Sequence, residues 1–202
     1  PLITTSHRGS SAFNLSPFQG KQSDLKSVID FSYDNEELTP YSYTVYLDEQ
    51  ETEINFGLSH QSAMYEIDFG KDEDAYLIVN SRNGSMNWKD SALSGHQLIE
   101  NDTKVYLYMV LEEIPETVSI LSQDKLKKGT SASGKDACIV LKFSEINKKL
   151  KIRYGISFID EIQAKRNLER EVKNENIKSL QNSSCNNWND ALNKIEVEGD
   201  DN

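Results

Sequence analysis

Residues 41–58 read YSYTVYLDEQETEINFGL, and this stretch decides the fold. Apolar side chains alternate with polar ones over residues 41–47 and again over residues 54–58, and an acidic segment at 48–53 separates the two runs. Alternation with a period of two is typical of half-buried strands, and a short polar segment between two such runs is typical of a turn. The stretch therefore predicts an antiparallel β-hairpin.

Further runs of the same character follow this hairpin along the chain. They lie at residues 64–69, 75–79, 105–111, 117–121, 137–143 and 150–158. Eight or more short strands are usually arranged as a sandwich or a barrel, because these architectures bury one face of each strand. We expect a mainly β fold with a β-sandwich over residues 41–158.

The first forty residues differ from this middle part. Residues 1–40 are rich in Ser and show little periodicity, as in the segments HRGSS at 7–11 and SPFQG at 16–20. Such sequence is typical of loops, and long loops are often functional. We therefore expect residues 1–40 to form a loop-rich start to the domain.

The period of the apolar residues changes after residue 158. Ala164, Leu168 and Val172 recur at four-residue spacing behind a capping residue at Asp160, which predicts a helix. A polar stretch over residues 173–184 then leads to a second helical segment that carries Trp188 on its apolar face. Residues 159–202 are expected to form one or two linker helices.

The charge and hydropathy of the chain exclude two classes of partner. The 202 residues include 22 Lys and Arg against 33 Asp and Glu, giving a net charge of −11, and the mean hydropathy is −0.63. So acidic a chain repels phosphate backbones, and its longest apolar runs fall far short of the ~20 residues of a membrane helix. We expect a soluble protein with no nucleic-acid or membrane partner. No signal peptide is visible, and the compartment is left undecided.

The residue types that usually carry chemistry are scattered. His7, His60 and His96 lie too far apart in sequence to form a local metal site, and Cys138 and Cys185 have no metal-ligand spacing. Acidic pairs are frequent, but in so acidic a chain they are interpreted as a solvated surface. No catalytic residue and no metal ligand is predicted.

Three parts of the chain together share a pattern with one enzyme family. The first is RGS at residues 8–10 followed by SPFQG at 16–20, and the second is FSY at 31–33 followed by TPYSYTVYL at 39–47. The third part is GISFI at 155–159, WNDAL at 188–192 and IEVEG at 195–199. In order and spacing these segments resemble glycoside hydrolase family 92, the calcium-dependent exo-acting α-mannosidases. Phe18 stands where the family has Trp.

The resemblance extends from residue 8 to residue 199 and implies a specific domain. It implies the N-terminal β-sandwich of such an enzyme, a galactose-mutarotase-like supersandwich, with linker helices leading to a helical (α/α) catalytic domain absent from this chain. In the family, the general acid Glu, the general base Asp and the calcium ligands lie chiefly in that second domain. The resemblance therefore implies that the chain alone is inactive and binds no Ca²⁺. The full-length enzyme would invert the anomeric carbon as it hydrolyses α-linked mannose from glycans.

The resemblance also implies which residues contact the mannose-containing glycan. Arg8, Phe18 and Gln19 belong to the segment that approaches the cleft between the two domains in the family. The planar fork of an Arg can bond sugar hydroxyls, and an aromatic ring can pack on the C–H face of a pyranose. We expect these three residues to bind substrate. The alternative is that Phe18 only pins the segment to the sandwich and that Arg8 pairs with a surface acid.

Two other functions remain open from the sequence. The chain could be a free-standing, non-catalytic carbohydrate-binding β-sandwich module, which predicts measurable affinity for mannosides in the isolated chain. It could also be a purely structural sandwich for protein contact, which predicts that replacing Arg8 or Phe18 leaves turnover unchanged.

Overall fold

The computed structural model of the protein describes residues 2–7, 10–143 and 149–194. Within these ranges the chain forms thirteen antiparallel strands followed by two helices, which confirms the mainly β fold with C-terminal helices. The strands are β1 (Leu2–His7), β2 (Ser10–Gln19), β3 (Tyr33–Leu38), β4 (Ser42–Leu47), β5 (Thr52–Leu58), β6 (Ser62–Phe69), β7 (Ala75–Lys89), β8 (Ala92–Ile99), β9 (Thr103–Leu111), β10 (Thr117–Ser122), β11 (Lys125–Lys128), β12 (Ser131–Phe143) and β13 (Lys149–Ser157). The helices are α1 (Glu161–Glu171) and α2 (Ile177–Leu192).

The strands lie in the order β11-β10-β12-β7-β8-β9-β13-β6-β5-β4-β3, and the β1–β2 hairpin joins through β2 and β7. The hairpin lies against the other half of this sheet. The Tyr65 hydroxyl of β6 donates a 2.9 Å hydrogen bond to the Ile3 carbonyl, and the Tyr154 hydroxyl of β13 donates one of 2.9 Å to the Thr4 carbonyl. The sheet therefore closes over itself as two layers around the main core.

Strand β7 changes its hydrogen-bonded partner half way along its length. Residues 75–80 pair with β2, residues 84–89 pair with β8, and β12 pairs with both parts on the other side. Asn83 lies between the two parts with a left-handed φ of 51°. The next residue is Gly84. Only a glycine fits there, because a Cβ would come within 2.2 Å of the His96 carbonyl oxygen. This change of partner leaves space between the start of β2 and the end of β8.

Two apolar clusters lie on opposite faces of β2, β7 and β12. The main core fills the space between the two layers and includes Phe13 and Leu15 of β2. The second cluster lies on the outer face. It contains Phe18, Leu25, Tyr76, Ile78, Leu121, Cys138 and Val140, with Ile29 and Leu126 packed against it. Strand β2 is consequently buried on both faces.

The loop expected over residues 1–40 is wrong for much of that segment, and for β2 this double burial is the reason. The structure has β1, β2 and β3 there, and the last eight residues of β2 are all buried. A strand buried on both faces has no need to alternate apolar with polar residues, so its sequence lacks the period used to recognise strands. Strand β8 was also not predicted, because its sequence ALSGHQLI has no uniform apolar run.

Helix α1 packs as its sequence predicts. Ala164, Leu168 and Val172 are buried, and the Asp160 carboxylate accepts a 2.6 Å hydrogen bond from the Gln163 N–H as the N-cap. Its neighbours are β13 and β9. The predicted stripe and cap are confirmed.

Helix α2 begins at Ile177, within the stretch at 173–184 that was expected to be a polar connection. The Asn176 side chain caps its first turn, and Ile177, Leu180 and Ser184 are buried. The Gln181 side-chain amide donates a 2.9 Å hydrogen bond to the Phe56 carbonyl of β5. The helix is thus attached to the sheet by its first half. No helix in the described part of the chain is both long enough and apolar enough to span a membrane.

Candidate functional site

A polar groove of about 630 Å³ lies where β7 changes partner, between the start of β2 and the end of β8. Its walls supply hydroxyls, amides, a guanidinium group and two carboxylates. The lining residues are Ser10, Ser11, Arg82, Asn83, Gln97, Leu98, Ile99, Glu100 and Asp102. This volume lies within the range of about 300–1,000 Å³ that small-molecule sites occupy. Such a mixture of donors and acceptors suits a ligand that carries several hydroxyl groups.

Gln97 organises the floor of this groove. Its side chain is 3 % exposed, and its Oε1 accepts hydrogen bonds from the backbone N–H groups of Phe13 at 3.0 Å and Arg82 at 3.2 Å. Its Nε2 donates a 2.9 Å hydrogen bond to the Ser11 carbonyl. One buried amide therefore joins β2, β7 and β8 at the point where their pairing is interrupted.

Phe13 shows why this amide is needed. Phe13 is fully buried and has a left-handed φ of 50°, a conformation that costs a non-glycine residue about 1–3 kcal/mol. The bend takes its N–H out of the regular ladder, and Gln97 accepts it instead. Without this acceptor, the buried N–H of Phe13 would be unsatisfied, which would add about 1–3 kcal/mol to the cost of the left-handed conformation. The groove is thus held in shape before any ligand binds.

The two sides of the groove also contact each other directly. The Ser10 hydroxyl at the start of β2 donates a 3.3 Å hydrogen bond to the Glu100 carboxylate. Glu100 belongs to a short 3₁₀ turn, Glu100–Asp102, that follows β8. Carboxylates at this turn give the groove acceptors for the hydroxyl groups of a ligand.

Arg8 belongs to the connection between β1 and β2, and it falls outside the described residues. The strands on either side of the connection pair at His7 and Ser10. Ser10 lines the groove, and Arg8 precedes it by two residues in the sequence. The role of Arg8 stays a prediction.

Phe18 and Gln19 lie at the opposite end of β2 from Arg8. The nine residue steps from Ser10 to Gln19, at ~3.3 Å each, separate them from the groove by about 30 Å. The structure thus brings Phe18 and Gln19 together but does not bring either of them to the Arg8 end of the strand.

Phe18 is part of the second apolar cluster. Its side chain is 8 % exposed, and its ring lies 6.1 Å from the ring of Tyr76 on the neighbouring strand. Two residues further on, Gly20 has a φ of 142°, and a Cβ on it would lie 3.0 Å from the Phe18 ring. These contacts favour the alternative in which Phe18 pins its segment to the sandwich.

Gln19 is 2 % exposed, and its polar groups bond to three other segments. Its backbone N–H donates to the Gln50 side chain at 2.6 Å, and its Nε2 donates to the Gln50 carbonyl at 2.7 Å and the Thr52 hydroxyl at 3.1 Å. Its Oε1 accepts from the Lys71 N–H at 3.0 Å. The substrate-binding role predicted for Phe18 and Gln19 is untested, and both side chains have partners within the sandwich.

The resemblance implies calcium in the whole enzyme, so a metal site among the described residues would be relevant to function. Within residues 2–7, 10–143 and 149–194, no three His, Cys, Asp or Glu side chains are grouped so that they could hold a metal ion. We assign no calcium ligand to these residues.

The groove was not predicted from the sequence, because its residues come from three distant segments. Ser10, Arg82 and Gln97 have no shared motif, and the strand that carries Gln97 was not predicted. One signal was available: Leu93, Gly95, Gln97 and Ile99 form the inward-facing set of β8, and a Gln in such a set needs buried hydrogen-bond partners.

Comparisons with known proteins agree with this fold. Residues 3–157 match the family profile described as the glycosyl hydrolase family 92 N-terminal domain. A search of curated proteins gave no match.

Three solved structures have similar folds. The family GH92 inverting mannosidase BT2199 from Bacteroides thetaiotaomicron is 24% identical, with a TM-score of 0.81 over 95% of this chain and 28% of that chain. The family GH92 α-mannosidase BT3965 from the same organism is 15% identical, with a TM-score of 0.83 over 95% of this chain and 30% of that one. The GH92 family glycosyl hydrolase ccman5 is 16% identical, with a TM-score of 0.76 over 94% of this chain and 29% of that one.

This chain spans less than a third of the length of each of these solved proteins. At such identities the structural likeness establishes the fold, and the family profile, which covers most of the chain, establishes the family. The chain belongs to the glycosyl hydrolase family 92 N-terminal domain family.

Proposed function

We propose that this chain is the non-catalytic N-terminal domain of a calcium-dependent, inverting exo-α-mannosidase that removes α-linked mannose from glycans. In this proposal the domain shapes part of the mannose subsite and supports a helical catalytic domain. The observation that carries it is the preorganised polar groove beside the Arg8 connection, in a chain that belongs to a glycosyl hydrolase family.

The groove supplies binding groups. An inverting glycosidase needs two carboxyl groups about 6.5–9.5 Å apart, with room for a water molecule next to the anomeric carbon. We place that pair, and the calcium ligands, in the second domain. The groove's part would be to hold sugar hydroxyls through Arg82, Asn83 and the acceptors of the 3₁₀ turn, and Arg8 is proposed to contribute to the same subsite.

The C-terminal helices would support the second domain. Trp188 is 43 % exposed and Leu192 is 62 % exposed, although both are apolar and lie on the half of α2 that does not pack on β5. A second hollow of about 370 Å³ separates this half from the β5–β6 connection, with Trp188 and His60 in its walls. We propose that the helical domain covers this surface.

The first test uses the intact protein that contains this chain. We expect its mass to be several times the 23.0 kDa of this chain, measured on the native protein with an antibody raised against residues 1–202. It should hydrolyse an aryl α-mannoside, lose that activity in a chelator and regain it with Ca²⁺. Proton NMR of the first product should show the β-anomer. A native mass near 23 kDa would contradict the proposal.

A second test addresses the groove. Replacing Arg82 by Ala in the intact enzyme should lower kcat/KM by about tenfold, because a charged donor to a ligand contributes about 1.5–3 kcal/mol. Lys89→Ala is the matched control, since Lys89 is exposed on the same strand outside the groove. Equal kcat/KM values for the two variants would remove the groove from the subsite.

The groove also favours a second candidate, the free-standing carbohydrate-binding module. In that case the isolated chain would bind mannosides measurably by calorimetry, and Arg82→Ala would abolish the binding. A half-built subsite should bind weakly. The ligand loses its freedom of motion on binding, but it forms only part of the contacts that would offset this loss. Measurable affinity together with a native mass near that of this chain would favour the module.

A further inference from the structure

A small cavity of about 180 Å³ lies on the outer face of the sheet, near its β11 edge. It lies beside the second apolar cluster. It is lined by Gln22, Tyr76, Thr117, Ser119, Leu126, Lys127, Lys128, Val140 and Lys142. Tyr76 and Arg82 are six residues apart on β7, so the cavity lies about 20 Å from the polar groove along that strand. It is therefore a separate site.

The strand register places ammonium and hydroxyl groups side by side in this cavity. Lys128 of β11 pairs with Ser119 of β10, and Thr117 of β10 pairs with Lys142 of β12. Directly opposed residues have Cβ atoms about 4.5–5.5 Å apart. Ser119 and Thr117 are two residues apart, so both hydroxyls lie on the same face of β10. They lie between a lysine on each neighbouring strand.

Most of these groups have no side-chain partner in the part of the chain that the structure describes. Lys142 forms a 2.8 Å ion pair with Asp74, which also accepts a 3.4 Å hydrogen bond from the Tyr76 hydroxyl. Lys127 and Lys128 form no ion pair with any residue that the structure describes. Lys127 alternates with Lys128 along β11 and pairs with Ile120, so its side chain lies on the opposite face of the strand. The cavity thus has one uncompensated ammonium group, that of Lys128, and a second, that of Lys142, which Asp74 anchors in place.

The local charge is opposite to that of the whole chain. Residues 117–142 contain five lysines and two acidic residues, although the net charge of the protein is −11. Lysines on an edge strand commonly prevent edge-to-edge aggregation. That role accounts for Lys125, which lies on β11 outside the cavity. Prevention of aggregation does not explain why the hydroxyls of Thr117 and Ser119 lie between two lysines.

We propose that this cavity binds a small oxyanion, with the chemistry of a phosphate or sulfate group. Lys128 would neutralise its charge from the β11 side, and Lys142 from the β12 side. The hydroxyls of Ser119 and Thr117 would donate hydrogen bonds to its oxygens. Ammonium and hydroxyl donors converging on a small space are the groups that hold oxyanions in proteins.

The test is a titration of the 202-residue chain with inorganic phosphate at low ionic strength, followed by calorimetry and by ³¹P NMR line broadening. We expect saturable one-to-one binding with a dissociation constant in the millimolar range or lower. Lys128→Gln should weaken it about tenfold, and Ser119→Ala about threefold, in line with the energies of charged and neutral hydrogen bonds.

Lys125→Gln is the matched control, because it removes the same charge from the same strand outside the cavity. It should change the dissociation constant by less than about twofold, since exposed charges at this distance are screened. Absence of saturable binding would overturn the proposal. Equal weakening by Lys125→Gln and Lys128→Gln would also overturn it, because diffuse charge rather than a built site would then explain the affinity.

A further arm separates the two sources of such an oxyanion. Phosphate carried on a sugar is tested with a hexose 6-phosphate, and free anion is represented by inorganic phosphate and sulfate. Tighter binding of the hexose 6-phosphate assigns the cavity to a phosphorylated glycan. Equal binding of all three probes assigns it to a free oxyanion.

Discussion

Gly155 on β13 lies directly under the Ala164 carbonyl group of α1. A Cβ built on Gly155 would come within 2.3 Å of that carbonyl oxygen and within 2.8 Å of the Leu168 backbone nitrogen. Real Cβ atoms do not approach backbone this closely, so the helix could not occupy its place over any other residue. The position of α1 thus depends on residue 155 being a glycine, which has no side chain.

Gly155→Ala should therefore lower the free energy of unfolding by about 2–3 kcal/mol, the upper range for overpacking a close contact. Gly57→Ala is the matched control: its Cβ would meet the flexible Gln181 side chain at 3.1 Å. There the change should stay within about 1 kcal/mol. Urea denaturation followed by circular dichroism measures both variants. Equal values would contradict the account of α1.

Replacing Gln97 by Leu should destabilise the protein by about 2–4 kcal/mol. The substitution leaves the N–H groups of Phe13 and Arg82 without an acceptor, and each buried orphan costs about 1–3 kcal/mol. Leu98→Ala, at an outward-facing neighbour that is 36 % exposed, should cost much less. Chemical denaturation gives the free energies, and a small effect of Gln97→Leu would show that the groove does not depend on this amide.

The two cysteines should react at very different rates. Cys138 is fully buried, and burial together with the charge of Asp136 raises the pKa of its thiol to about 12. At pH 8 it is therefore both protonated and inaccessible, whereas Cys185 is partly exposed. We expect one thiol per chain to react quickly with a chromogenic disulfide reagent, and a second only in denaturant. Cys185→Ser should abolish the fast reaction.

Glu112 should contribute to stability in a pH-dependent way. Burial opposes its ionisation, but the hydrogen bond and charge of Arg153, with Lys151, outweigh burial and hold the pKa of Glu112 below its ordinary value of 4.5. Because the folded pKa lies below the unfolded one, the stabilisation is complete above pH 4.5 and is lost as the pH falls through the folded value.

Comparing the wild type with Glu112→Gln tests this sign. The wild type should be the more stable of the two near neutral pH, and the difference should shrink as the pH falls below the ordinary Glu value. A difference that does not change with pH would mean that the Glu112 charge does not contribute. Thermal unfolding across a pH series provides the measurement.

Helix α2 should be protected unevenly from hydrogen exchange. Its first half is attached through Gln181 and through the Ser184 hydroxyl, which donates to the Leu58 carbonyl. Its last turns carry the exposed Trp188 and Leu192. Amides over residues 180–184 should therefore exchange more slowly than those over 188–192, because opening of the last turns breaks few tertiary contacts. Equal protection in monomeric protein would contradict this.

The sequence predicted the parts of the fold that have one buried face. The hairpin of β4 and β5 and the apolar stripe of α1 were recognised from their apolar residues. Alternation in a strand and four-residue spacing in a helix both show which face of the element is buried. Strand β2 was missed because apolar clusters bury both its faces, and it reaches that position by pairing with β7, some sixty residues away. Such long-range burial leaves no local period.

The candidate site was less predictable for a related reason. Arg8 was chosen from a family pattern, whereas the groove depends on Gln97, whose significance comes from its three backbone partners. Those partners come together only at the point where β7 stops pairing with β2 and begins to pair with β8. Phe18 and Gln19, which look like a turn in sequence, lie inside the sandwich.

The position of β13 has a consequence for synthesis of the protein. It lies between β9 and β6, so it joins two groups of strands that otherwise share no ladder in the described sheet. Among the strands that the structure describes, it is also the last to leave the ribosome. Until residues 149–157 emerge, the edges of β6 and β9 that pair with β13 have no partner strand. A nascent chain that pauses before this point exposes both edges to aggregation and to chaperones. Completion of this domain is therefore timed by its final strand.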